Sequence, residues 1–169
     1  MKKNILIFAM LTFFISTVST AQSDVVDVAL SSKDHTTLVA AVKAADLVNT
    51  LKGEGPFTIF APTNAAFGAL PKGTLESLLK PESKSKLSAI LTYHVVAGNF
   101  KAADVVAAIK KGGGKFAIKT VNGGTLIASL KGDKVIITDA NGSVATITAT
   151  DLKASNGVIH VIDSVVLPK

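Results

Sequence analysis

A series of short β-rich runs fills the last third of the chain and restricts its fold strongly. The segments at residues 116–121, 125–130, 134–138, 144–150 and 158–167 are rich in valine, isoleucine and threonine. Between them stand NGG at 122–124, GD at 132–133, NG at 141–142 and NG at 156–157. Asparagine and glycine tolerate the positive φ that tight hairpin turns require. The pattern predicts a meander of antiparallel strands.

The first half of the chain has helical spacing instead. Apolar residues recur at intervals of three and four in residues 37–45, 47–52, 75–80, 84–91 and 102–111. Asp46, Thr74 and Ser83 stand where N-caps are expected. Two short strands, at 55–62 and 92–96, are expected between these helices. Early helices and late strands predict an α+β fold.

The N-terminus has the features of a secretory leader. Lys2 and Lys3 precede an apolar run at residues 5–18, and small residues follow at 19–21. This order predicts cleavage after Ala21. The alternative is a membrane anchor, but the run is shorter than the roughly 20 residues that a span requires. We therefore expect a secreted or periplasmic protein.

The mature chain is expected to be a single domain. Residues 22–169 have the length of one domain that buries its own core. The chain has no cysteine, so packing must stabilise an exported fold that has no disulfides. No further apolar run of membrane-spanning length follows the leader.

The basic residues do not indicate nucleic-acid binding. The formal net charge is +6, yet every basic residue is lysine and none is arginine. Arginine is the side chain that reads guanine edges and clamps phosphates with two parallel hydrogen bonds. The lysines are scattered along the chain, and aromatic residues make up 5% of it. We interpret the lysines as a solvated surface.

No pattern of catalytic residues stands out. Ser155, His160 and Asp163 are candidate members of a hydrolytic triad, but no Gly-x-Ser-x-Gly elbow occurs. His160 and Asp163 also fall on opposite faces of their expected strand. We therefore expect that the chain is not an enzyme.

No metal or cofactor motif stands out either. The three histidines are far apart and form no His-x-x-x-His pair. The sequence DANGS at 139–143 has a faint similarity to a calcium loop but lacks the distal glutamate. GGGK at 112–115 lacks the pattern of a phosphate-binding loop. We expect no cofactor and no metal.

Three segments together resemble the fasciclin (FAS1) domain family. They are GPFTIFAPTNAAF at 55–67, LTYHVVAG at 91–98, and NGVIHVID at 156–163 followed by VLP at 166–168. Their order and spacing agree with the family, and DVVD at 24–27 fits its opening helix. The resemblance implies a wedge of mostly antiparallel strands with several short helices packed around it.

The resemblance also implies a role in adhesion outside cells. The Tyr-His segment of animal members is implicated in receptor binding, so Tyr93 and His94 become candidate binding residues here. As neighbours on an expected strand they would point to opposite faces. The alternative interpretation is structural, with Tyr93 packed and hydrogen-bonded and His94 holding a loop. Asn64 departs from the family, which usually has aspartate there, and this puts any charge-dependent contact at that position in doubt.

Two functional hypotheses remain. The first is a non-catalytic binding module that mediates cell or matrix adhesion through an extracellular protein or polysaccharide, as a monomer or weak homo-oligomer. The second is a carrier of a small apolar ligand, held between the helices and the β-wedge. The leader has a bacterial character, so the animal partners are not transferred with the motif.

Overall fold

The computed structural model describes residues 23–169. The expected leader and its cleavage site lie outside the described residues. Within residues 23–169, no helix is both long and apolar enough to cross a bilayer.

Helices precede and strands follow in the described chain, with two strands interspersed among the helices. The helices are α1 (Val25–Ser31), α2 (Thr36–Ala44), α3 (Val48–Leu51), α4 (Asn64–Gly68), α5 (Thr74–Leu78), α6 (Lys84–Tyr93) and α7 (Ala102–Lys111). The strands are β1 (Phe57–Pro62), β2 (Val95–Ala97), β3 (Lys115–Lys119), β4 (Thr125–Lys131), β5 (Lys134–Thr138), β6 (Val144–Ala154) and β7 (Gly157–Ile162).

All seven strands form one sheet in the order β2-β1-β7-β6-β5-β4-β3. Every neighbouring pair is antiparallel except β1 and β7, which run parallel with Phe57 opposite Gly157. The edge strands β2 and β3 approach each other, and the amide of Val121 donates to the carbonyl of Val95 at 2.8 Å. The result is a nearly closed wedge, and the predicted α+β fasciclin-like architecture is confirmed.

Two apolar clusters pack against the sheet because alternate residues of a strand face opposite sides. On β1, Ile59 and Ala61 pack with α1 to α6, whereas Phe60 packs with α7 and strands β3 to β7. The sheet therefore separates a helical layer from the interior of the wedge. Tyr93, at the end of α6, belongs to the second cluster.

Most predicted elements are present, and the differences are local. Helix α7 has the predicted bounds, and an Asn-Gly turn joins β5 to β6. The turn between β6 and β7 is Ser155-Asn156 and not the predicted Asn156-Gly157, because Gly157 is already paired with Ala154 as the first residue of β7. The prediction that Asp46 is an N-cap is wrong. Its φ is 61°, and its carboxylate contacts the Lys84 ammonium at 3.4 Å. Thr74 is the first residue of α5, and Gly73 occupies the cap position with a φ of 81°.

Asn64 uses both ends of its amide group. Its Oδ1 accepts from the amide of Thr37 at 2.9 Å and from the Thr36 hydroxyl at 3.2 Å. Its Nδ2 donates to the carbonyl of Lys33 at 2.9 Å. A carboxylate has no donor for that last bond, so asparagine satisfies this junction better than aspartate. The N-cap of α4 is Thr63, whose Oγ1 accepts a hydrogen bond from the amide of Ala66 at 3.2 Å.

Candidate functional site

Tyr93 and His94 end helix α6 and do not lie on a strand. The strand predicted at residues 92–96 begins only at Val95. The helical spacing of Leu87, Ile90 and Leu91, all buried, continues into Tyr93 and overrides the strand preference of the β-branched and aromatic residues around it. The prediction that the two side chains point to opposite faces of a strand is therefore wrong.

The Tyr93 ring lies in the interior of the wedge with its hydroxyl between two loops. The hydroxyl donates to the carbonyl of Thr125 at 2.8 Å and accepts from the amide of Ala140 at 3.1 Å. Tyr93 is fully buried, and this burial raises the pKa of the phenol. The hydroxyl therefore stays protonated and fixes the start of β4 to the turn between β5 and β6.

His94 connects α6 to the C-terminal segment. Its Nε2 accepts from the amide of Val166 at 3.2 Å, so Nδ1 carries the proton and donates to the carbonyl of Ile90 at 2.8 Å. Burial lowers the pKa of His94 from 6.5 to about 4, against the opposing effects of the Ile90 carbonyl and Asp139. The buried imidazole of His94 is therefore neutral at neutral pH.

Asp139 and Asn141 extend these contacts to the surface. The Asp139 carboxylate accepts from the backbone amides of Asn141, Ser143 and Leu167, each at 2.9 Å. The Asn141 side chain donates to the carbonyl of Leu167 at 3.0 Å. What resembled a calcium loop in the sequence is a turn whose carboxylate binds backbone amides.

These contacts assemble a surface that we call the loop platform, made of residues 121–124, 140–143 and 167–169. Asn122 joins it to α6, because its amide donates to the Thr92 carbonyl and its side chain donates to the Ala89 carbonyl at 3.0 Å. Most of the platform is exposed, whereas Tyr93 and His94 lie beneath it. The sequence singled out the two buried residues as binding candidates and identified the exposed ones only as turns, since turn residues carry no pattern that indicates binding.

The other histidines also have structural partners. The Nε2 of His160 donates to the carbonyl of Phe100 at 2.7 Å, and its ring stacks on Phe60. The Nδ1 of His35 lies 2.8 Å from the Ser32 hydroxyl, and burial lowers the pKa of His35.

The residues of the candidate triad do not come together. Asp163 accepts from the amide of Thr146 at 2.7 Å, and no hydrogen bond in residues 23–169 joins it to His160 or Ser155. The same part of the chain has no group of three or more histidine, aspartate or glutamate residues that could hold a metal ion.

Comparison with known proteins assigns the chain to a family. The family profile for the fasciclin domain matches residues 33–168. Protein sll1483 from Synechocystis is 51% identical over 144 residues, which cover 85% of this chain and 73% of that protein. Transforming growth factor-beta-induced protein ig-h3 from Oryctolagus cuniculus is 35% identical over 150 residues, which cover 85% of this chain and 19% of that protein.

A solved structure supports the same fold. The FAS1 domain pair of the insect cell adhesion molecule Fasciclin I aligns with a TM-score of 0.59 and 21% identity, over 77% of this chain and 43% of that one. The chain therefore belongs to the fasciclin domain family. Members of this family are typically extracellular, and they are generally non-enzymatic adhesion modules.

Proposed function

We propose that this chain is an exported, non-catalytic module that mediates cell or matrix adhesion through protein or glycan contacts at the loop platform. Tyr93 and His94 take part by positioning the platform from below. The main support for this proposal is that three separate chain segments meet over these two residues. Tyr93 forms hydrogen bonds with Thr125 and Ala140, and His94 forms one with Val166. Exposed loops held on a rigid scaffold are the usual location of binding surfaces.

Family membership supports the proposal. The insect protein Fasciclin I, whose FAS1 domain pair has the same fold, is a cell adhesion molecule, and fasciclin domains bind extracellular proteins. The leader expected at residues 1–21 would deliver the chain to the compartment where such contacts form.

Matched surface variants test the platform. Ala140→Glu adds a charge to an exposed platform residue and keeps the backbone amide that binds Tyr93. Ala107→Glu adds the same charge on the exposed face of α7. We expect beads coated with residues 22–169 to adhere to host cells or to isolated matrix polysaccharide. Ala140→Glu should reduce the number of adhering beads, and Ala107→Glu should leave it unchanged.

Two outcomes would contradict the proposal. Wild-type beads that adhere no better than albumin-coated beads would exclude adhesion to these surfaces. An equal effect of the two variants would place any adhesion elsewhere on the domain. Unfolding curves of both variants show whether the fold is retained.

A further inference from the structure

An apolar cavity of about 110 Å³ lies between helices α1 to α3 and the face of β1. Its lining includes the buried side chains of Val25, Leu38, Val42, Leu51, Ile59 and Leu91. It lies on the opposite side of the sheet from the interior of the wedge. The loop platform touches it only at Val121.

The cavity suits an alkyl group better than water. A buried water needs two to four polar partners, and an engineered apolar cavity of roughly 150 Å³ stays dry and accepts benzene. His94 reaches the wall, but both of its ring nitrogens already have partners. The volume therefore fits a short alkyl chain.

Two of the apolar side chains that line the cavity are largely exposed. Leu30 on α1 is 49% exposed and Val121 after β3 is 48% exposed, and both line the cavity. Large side chains exposed at the mouth of an apolar cavity can contact a ligand that enters it.

Two lysines bear on the head group that a ligand could carry. Lys43 and Lys52 line the cavity through their carbon atoms, and no aspartate or glutamate lines it. Lys52 is held by the carboxylates of Asp24 and Asp27 at 2.9 and 2.8 Å. Lys43 is exposed and forms no ion pair among residues 23–169, so its ammonium remains available to an anion bound next to its side chain.

We propose that this cavity binds a small aliphatic carboxylate, with the alkyl chain inside and the carboxylate at Lys43. Apart from Val121, which belongs to both, this site is separate from the loop platform to which we assign adhesion. It gives the apolar-carrier hypothesis a specific location and a class of ligand.

Three six-carbon probes test the proposal on residues 22–169, which contain the complete described fold. Hexanoate, hexanol and hexylamine have the same alkyl chain and differ in the charge of the head group. We expect saturable NMR shift changes at Val42 and Ile59, with affinity in the order hexanoate, hexanol, hexylamine. Absence of saturable changes with all three probes would overturn the proposal. Equal affinity for hexanoate and hexylamine would overturn the role of Lys43.

Separate variants test binding inside the cavity and the contribution of the Lys43 charge. Ala29→Leu places a larger side chain at a cavity-lining position of α1 and should weaken hexanoate and hexanol by more than about tenfold. Ala40→Leu, on the exposed face of α2 and away from the cavity, is the matched control. Lys43→Gln should weaken hexanoate by about threefold, as expected for an exposed ion pair, and leave hexanol unchanged. Unchanged binding by Ala29→Leu would exclude the cavity as the site.

Discussion

At the scale of single residues, His94 lies in a different environment from the one that its sequence motif suggested. The resemblance marked it as a candidate binding residue, whereas the structure buries it with both ring nitrogens hydrogen-bonded. Its bond to Val166 spans 72 positions of sequence. The spacing of apolar residues indicates only local structure, so this distant hydrogen-bond partner could not be predicted from the sequence.

The buried neutral imidazole makes stability depend on pH. Because the pKa of His94 is about 4 in the folded state against 6.5 when free, the unfolded chain gains a proton first as the pH falls. The contribution of His94 is therefore complete above pH 6.5 and is lost between pH 6.5 and about 4. Urea unfolding should show a loss on the order of 3 kcal/mol over this window from His94.

His94→Gln isolates this effect, since glutamine does not titrate. The variant should lose less stability than the wild type over the same window. His35, whose pKa is also lowered, contributes equally in both proteins. Identical pH slopes would mean that His94 is not the group responsible.

At the scale of elements, the turn between β3 and β4 packs directly on Tyr93. A Cβ at Gly124 would lie 2.6 Å from Cε2 of Tyr93, closer than real atoms approach. The sequence predicted a hairpin here from the asparagine and the two glycines at 122–124, and the hairpin is present. The sequence did not indicate that the second of these glycines, Gly124, is required because the Tyr93 ring packs against it.

Gly124→Ala should therefore destabilise the domain by roughly 1–3 kcal/mol, the usual cost of overpacking. Gly68→Ala is the control, because a Cβ at the end of α4 meets no atom within 4 Å. The control should be neutral or slightly stabilising, since alanine has less freedom than glycine in the unfolded chain. Thermal unfolding measures both variants, and equal melting temperatures would contradict the packing argument.

At the scale of the whole molecule, the arrangement of the sheet was only partly predictable. The late hairpins follow from turn chemistry, but the parallel pairing of β1 with β7 joins residues about 100 positions apart. Local patterns contain no information on such a pairing, and it was not predicted from the sequence. An apolar ligand between the helices and the wedge was one hypothesis from the sequence, but the residues that line the cavity depend on how three helices meet the sheet.

Asn156 joins both ends of the described chain. Its Oδ1 accepts from the amide of Val25 at 3.0 Å, and its Nδ2 donates to the carbonyls of Leu51 and Gly53 at 2.8 and 3.0 Å. Asn156→Ala should cost about 1–3 kcal/mol because part-buried groups lose their partners. Asn122→Ala, which removes one exposed side-chain bond, should cost less in the same urea titration. A larger loss of stability for Asn122→Ala than for Asn156→Ala would contradict the bridging role of Asn156.

The internal position of β7 in the sheet also bears on how the protein is made. This strand is the last in the chain, yet it separates β1 from β6. A ribosome must therefore synthesise almost the whole polypeptide before the sheet can close, and such distant pairing forms slowly. If the chain is exported as proposed, this delay favours its passage through a translocation channel, because the closed sheet cannot form before β7 has been made.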